Sequence, residues 1–227
     1  MNILAIDCAC EILSVALAAG NETFYTEIDA GIRHSELLME CADALFITAG
    51  ISPKDLDLAA CMKGPGSFTG LRIGYSAAKG IAMALGIPVR AVPTMDCLAY
   101  SLSIWPGIIV PAIDAKRGCF FSALYRNGKD ISGCVDAPPQ AIAEKIAGAR
   151  LSRDEKVVLT GPGAELLFPG LETYFPSGLV RVDPGCRKGR ARELLEIARS
   201  RLTEGADDID FGPVYIRKSD AEEKSLT

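Results

Sequence analysis

Ile3-Leu4-Ala5-Ile6-Asp7 opens the chain, and Gly107 to Ile113 followed by Asp114 presents a second apolar run closed by the same acid. The shift that carries Asp7 onto Asp114 also carries Ile6 onto Ile113 and Ala16-Leu17 onto Ala123-Leu124. Short apolar runs bounded by turn residues read as buried strands. Asn2 to Asp7, Leu13 to Ala18 and the more polar Glu22 to Ile28 therefore read as three strands, and Cys119 to Tyr125 as a repeat of the second. Self-similarity at a fixed offset points to duplication of a unit in which three strands precede the helices.

Two such units facing each other make up the actin, hexokinase and Hsp70 (ASKHA) architecture, an α/β fold of two lobes with a cleft between them. The expected division is residues 1–105 for the first lobe and 106–227 for the second, with the boundary near Trp105-Pro106-Gly107. The terminal segment is expected to pack back on the first lobe, and the tail from Asp220 to Thr227 to fray. In that architecture an Asp at the end of the first strand and another opening the second lobe flank nucleotide phosphates. Asp7 and Asp114 occupy those places and are the candidates for any cofactor contact. The plainer alternative, that each acid closes a strand and begins a turn, is the one preferred here.

Composition narrows the chemistry. The chain has 227 residues, 49% of them hydrophobic, which supports a sizeable core. Its formal charge of -5 with no basic stripe argues against holding nucleic acid alone. Only four apolar residues precede Asp7, too few for a signal peptide, and nothing approaches a membrane span. The 8 cysteines include no Cys-x-x-Cys, and His34 is the only histidine, so no metal site is expected. A reduced, cytoplasmic protein with neither disulfides nor a resident cofactor is the expectation.

Gly64-Pro65-Gly66-Ser67-Phe68-Thr69-Gly70-Leu71-Arg72-Ile73-Gly74 is the most specific block. Leu58 to Met62 reads as a strand and Gly64-Pro65-Gly66 as a turn; Ser67 or Thr69 caps a helix that Gly86 ends. A phosphate-loop reading is weak, because no Gly-Lys-Ser/Thr follows and the glycines fit Gly-x-Gly-x-x-Gly imperfectly. Interior Gly70, Gly74 and Gly80 together cost the helix roughly 3 kcal/mol against alanine, a loss that close packing must recover. His34, Leu37, Leu38, Cys41, Ala42, Leu45 and Phe46 follow helical spacing to Gly50. Pro138 to Ala147 and Arg190 to Leu202 read as further helices, and Lys156 to Thr160 as a strand entering Gly161-Pro162-Gly163.

The Gly64-to-Gly74 block, with Leu4-Ala5-Ile6-Asp7, Asp114-Ala115-Lys116-Arg117-Gly118 and Pro213-Val214-Tyr215-Ile216-Arg217, closely resembles the TsaB (YeaZ) family over nearly the full length. The first block is shared with the sister family TsaD (Kae1), whose enzymes carry a His-x-x-x-His metal pair and a Gly-Gly-His-Thr-like phosphate loop. Here Val92-Pro93-Thr94-Met95-Asp96-Cys97-Leu98 and Ala115-Lys116-Arg117-Gly118 stand in those places, without histidine. Glu40 departs from a proline common in relatives, a matter of helix detail.

The resemblance implies a subunit without catalytic residues that pairs with a TsaD-like threonylcarbamoyl transferase. A TsaE-like ATPase joins them to modify adenosine 37 of tRNA, which this chain meets only through the complex. The two most apolar helices of the first lobe, starting near His34 and Thr69, are the expected interface, also open to a homodimer. Its expected residues are His34, Leu38, Leu45, Phe68, Leu71, Gly74, Tyr75 and Ala78, with Phe68, Leu71, Tyr75 and Leu38 as anchors. Tyr75→Glu and Gly74→Arg variants would on this expectation fold yet fail to bind. The alternative is an active nucleotide-dependent transferase or kinase of the same architecture, which ATP with magnesium would stabilise against heat. A peptidase would need a metal set or a Ser/His pair, which one histidine does not supply.

Overall fold

Continuous burial from Ile3 to Asp7 makes the opening run the central strand of a sheet, β1 (Ile3–Asp7). The structure, a computed structural model, describes residues 1–149, 152, 155–202, 207, 212–214 and 216. The rest of the first sheet comprises β2 (Ile12–Ala19), β3 (Glu22–Asp29), β4 (Leu58–Gly64) and β5 (Val89–Pro93). Its order is β3-β2-β1-β4-β5, with β1 to β3 antiparallel and β4 and β5 parallel to β1. Helices α1 (His34–Ala49) and α2 (Phe68–Leu85) form the connections into β4 and β5. Because both return the chain between parallel strands, both run against β4 on one face of the sheet. Ser67 caps α2 through its Oγ, which accepts from the Gly70 N–H at 3.3 Å, and Gly86 closes it in the left-handed conformation.

The second sheet repeats this plan. After α3 (Thr94–Tyr100) come β6 (Gly107–Asp114), β7 (Phe120–Ser122), β8 (Tyr125–Arg126), β9 (Lys129–Asp130) and β10 (Val135–Ala137). They are followed by α4 (Pro139–Gly148), β11 (Lys156–Thr160), α5 (Ala164–Glu172), β12 (Val180–Val182) and α6 (Ala191–Ser200). The order β10-β7-β6-β11-β12 matches the first sheet strand for strand, with β8 and β9 as an added hairpin on β6. The fold is therefore the expected α/β architecture of a duplicated sheet-plus-helices unit.

Gly64-Pro65-Gly66 after β4 and Gly161-Pro162-Gly163 after β11 are the same turn in the two copies, a repeat that sequence reading did not pair. In each copy the turn lies against the end of the first strand. A Cβ on Gly66 would stand 2.5 Å from the Ala9 carbonyl oxygen, and one on Gly163 would stand 2.9 Å from the Asp114 nitrogen.

The strand expected from Cys119 to Tyr125 is broken into β7 and β8. Ala112 pairs with Ser122 and Ile109 with Tyr125, so the register is continuous across the gap. Pro111, which has no N–H to donate, lies between those two pairs. Leu124 bonds the hairpin instead: its N–H donates to Ser132 Oγ at 2.9 Å and its carbonyl accepts from Ile131.

The chain divides into two compact units, Met1–Cys97 with Gly189–Tyr215, and Leu98–Lys188 with Ile216–Thr227. In the first unit, one core fills the space between the sheet and α1 and α2. A second core lies on the other face of the sheet, under α6. In the second unit, α4 and α5 pack on one face of β6, β11 and β12. The tail from Asp220 to Thr227 lies outside the described residues.

All the cysteines are free thiols, with Cys41 and Cys61 buried and Cys119 and Cys134 half-buried. Burial raises the Cys61 thiol to about 12, with the Asp207 charge adding to it, so thiolate is scarce at neutral pH. Alkylation of the folded protein at neutral pH is expected to leave Cys61 unmodified, and unfolding to expose it, as read by peptide mass spectrometry.

Candidate functional site

Asp7, at the end of β1, is 4% exposed, and its carboxylate is fully engaged by the chain around it. One oxygen accepts the Ala9 N–H at 3.0 Å; the other accepts the Arg190 N–H at 2.9 Å and the Ser14 hydroxyl at 3.3 Å. Ser14 Oγ in turn accepts the Ala191 N–H at 3.0 Å. The two side chains thus hold the orphan N–H groups at the start of α6, where partial positive charge gathers. Gly189 completes the joint: its N–H donates to Glu27 at 3.1 Å and its carbonyl accepts from the Tyr25 hydroxyl at 3.1 Å. Any Cβ there would collide with the Ser14 side chain.

Desolvation raises the Asp7 pKa above 3.8, although the hydrogen bonds from Ala9, Arg190 and Ser14 work in the opposite direction. With the folded value above the unfolded one, the folded state holds the extra proton between the two. Ionised Asp7 therefore costs stability as pH rises through that window, and the cost vanishes below the unfolded value. An Asp7→Asn variant is expected to lack this component, so the difference between urea midpoints of variant and wild type should change across the window and level off on either side.

Asp114, at the end of β6, sits in a different setting. Its carboxylate accepts the Lys116 N–H at 2.7 Å and pairs with the Lys116 ammonium at 2.8 Å. Desolvation opposes ionisation here as well, but the bonds to Lys116 prevail and hold the carboxyl below the usual 3.8. Lys116 and Arg117 both adopt positive φ, 63° and 56°, in the turn that follows. Asp7 and Asp114 belong to separate compact units.

Of the residues expected to form an interface, most face the other way. Leu38, Leu45, Tyr75 and Ala78 are buried members of the core between α1, α2 and the sheet. Leu71 belongs to the core on the opposite face, and Gly74 packs against Cys8. Tyr75 is 7% exposed, so Tyr75→Glu would bury a charge and Gly74→Arg would force a long side chain into the sheet. Both would disturb folding before binding. His34 is also buried, opening α1, and its Nε2 has no hydrogen-bond partner among the described residues. Of the expected set, only Phe68 is exposed.

The outward faces carry other residues. On α1, Met39 is 48% and Ile47 81% exposed; on α2, Phe68 is 36% and Met83 65% exposed. Ser76, Gly80 and Ala84, also exposed, form a row of small side chains one turn apart along α2. A Cβ on Gly80 would meet nothing within 4 Å, so no contact within the chain requires glycine there. Sequence reading missed this surface because alanine and glycine, which make up much of α2, do not reveal which face is buried.

The family model described as TsaD: tRNA N6-adenosine threonylcarbamoyltransferase matches residues 28–225. The Bacillus subtilis (strain 168) tRNA threonylcarbamoyladenosine biosynthesis protein TsaB is 29% identical over 99% of this chain and 97% of its own length. The Escherichia coli (strain K12) protein of that name is 30% identical over 99% of this chain and 98% of its own length. The solved structure of YeaZ from Pseudomonas aeruginosa superposes with a TM-score of 0.76 at 25% identity, covering 94% of this chain and 99% of that one. No helix among the described residues is long and apolar enough to cross a membrane. With 99% of its length aligned to proteins of that name and residues 28–225 matched by the TsaD family model, the chain belongs to the TsaB (YeaZ) family.

Proposed function

We propose that this chain serves tRNA threonylcarbamoyladenosine synthesis as a subunit without catalytic residues of its own, docked on a TsaD-like transferase. The observation that carries docking is the outer face of α1 and α2, where Met39, Ile47, Phe68 and Met83 stand in solvent around the Ser76-Gly80-Ala84 row. Large apolar groups around a strip of small ones suit a closely approaching helix, which would recover the cost of an exposed helical glycine. A TsaE-like ATPase joins the assembly, and tRNA is met through the complex.

The state of Asp7 supports the lack of catalysis. Its oxygens are spent on Ala9, Ser14 and the start of α6, so the acid that would face phosphates in a nucleotide-using relative fastens a helix here. Asp114, paired with Lys116 on the surface of its turn, is the variant of choice, because its removal leaves no buried donor unpaired.

The test is reconstitution of the modification from purified transferase, ATPase and tRNA, with threonylcarbamoyl-adenylate and ATP supplied, with and without this chain. Asp114→Ala is expected to support modification as wild type does, whereas Gly80→Arg is expected to lose the stimulation. Loss of activity in Asp114→Ala with undiminished binding to the transferase would contradict the absence of a catalytic role.

A further inference from the structure

The chain beyond α6 returns to the first sheet at two places, both within the first compact unit. The first is β5, the edge strand beside β4. In that parallel ladder the Ala59 N–H donates to the Pro88 carbonyl, so the Val89 carbonyl and the Ala91 N–H turn away from β4. Asp207 takes both outward groups: its N–H donates to the Val89 carbonyl at 3.3 Å, and its carboxylate accepts the Ala91 N–H at 2.8 Å. One residue thus closes an edge that other chains could otherwise pair with. The buried Arg90 reinforces the contact, with its guanidinium 3.8 Å from the Asp207 carboxylate and donating to the Arg201 carbonyl, at the end of α6, at 3.0 Å.

The second place is the end of β4. There the register with β5 shifts between Met62 and Gly64, and the Lys63 carbonyl accepts the Val214 N–H at 2.8 Å. The Val214 carbonyl oxygen lies against Gly64, where a Cβ would stand 2.6 Å from it and where φ is 106°. Glycine is required at Gly64 on both counts. Three residues on, Ser67 caps α2, so the Val214 contact bears on the turn that launches that helix.

We infer that the chain beyond α6 is a strap that holds the Gly64-Pro65-Gly66 turn, and with it the start of α2, in place from the edge of the sheet. Asp207 fastens the strap to β5 and Val214 presses it on the turn. The two anchors act together, so loosening either loosens the other. The order of the α2 start is thereby conditional on the C-terminal segment, and proteolytic trimming beyond α6 is felt at Ser67 and Gly70. Their N–H groups donate to the Ala9 carbonyl and to Ser67 Oγ, the bonds that fix the helix entry.

The test is hydrogen–deuterium exchange of the full chain, read by mass spectrometry in peptides covering residues 64–71 and 89–93. Asp207→Ala removes the carboxylate at the first anchor, and Val214→Pro removes the N–H at the second. Each variant is expected to exchange about tenfold faster than wild type in both peptides, while peptides from β2 and β3 keep their wild-type rates. Val214→Ala retains the N–H and is expected to exchange as wild type does. Faster exchange confined to each variant's own anchor would overturn the strap, leaving two unrelated contacts. Wild-type exchange at residues 64–71 in Val214→Pro, or equal acceleration by Val214→Ala, would show that the bond to Lys63 does not hold the turn and would equally overturn it.

Discussion

Replacing Gly70 by alanine is expected to lower the stability of the protein by about 2–3 kcal/mol, although alanine is the better helix former. A Cβ on Gly70 would run into the Cys8 carbonyl oxygen, and that oxygen belongs to the backbone immediately after the buried β1, where it has no room to retreat. The same substitution at Gly80, ten residues along the same helix, is expected to stabilise by about 1 kcal/mol, because its Cβ enters open space. At this chain length each kcal/mol shifts the melting midpoint by roughly 2–4 °C, so the two alanine variants should move in opposite directions by readily measured amounts. Equal shifts of one sign would contradict the packing of α2 on the end of β1.

The second large effect concerns association. Gly80→Arg is expected to leave the fold and melting midpoint close to wild type, since the side chain projects from an exposed helical position. It should weaken binding to the transferase by about 100-fold, or about 2.8 kcal/mol, because a helix seated on the Ser76-Gly80-Ala84 row cannot approach past a guanidinium. Phe68→Ala should act in the same direction with a smaller effect, as the loss of one exposed aromatic anchor. Isothermal titration of the purified pair reads both.

Much of the fold was legible in advance because it depends on local signals. Apolar runs bounded by turn residues mark β1 to β4, Gly86 and a cap at Ser67 or Thr69 bracket α2, with Ser67 the one that caps it, and the Asp7-to-Asp114 shift exposes the duplication. What escaped was non-local or chemically quiet. The pairing of Gly64-Pro65-Gly66 with Gly161-Pro162-Gly163 went unread because its offset differs from that of the strands before it. The helix α5 carries Pro169 and Gly170, which disguise its periodicity. Asp7 was recognisable as an acid at a strand end, but its partner at the start of α6 lies 183 residues away, and no spacing rule reaches that far. The facing of α1 and α2 is not legible in the sequence for a simpler reason: Leu38, Leu45, Leu71 and Tyr75 are the residues a core and an interface would both choose.

The central claim, that this chain is a docking subunit of a TsaD-like transferase, is tested most directly by titrating the purified transferase with the wild-type chain and with Gly80→Arg. Saturable one-to-one binding by the wild type, lost in a Gly80→Arg chain that melts like wild type, is the predicted result. Absence of binding by the folded wild-type chain, or equal binding by both, would contradict it.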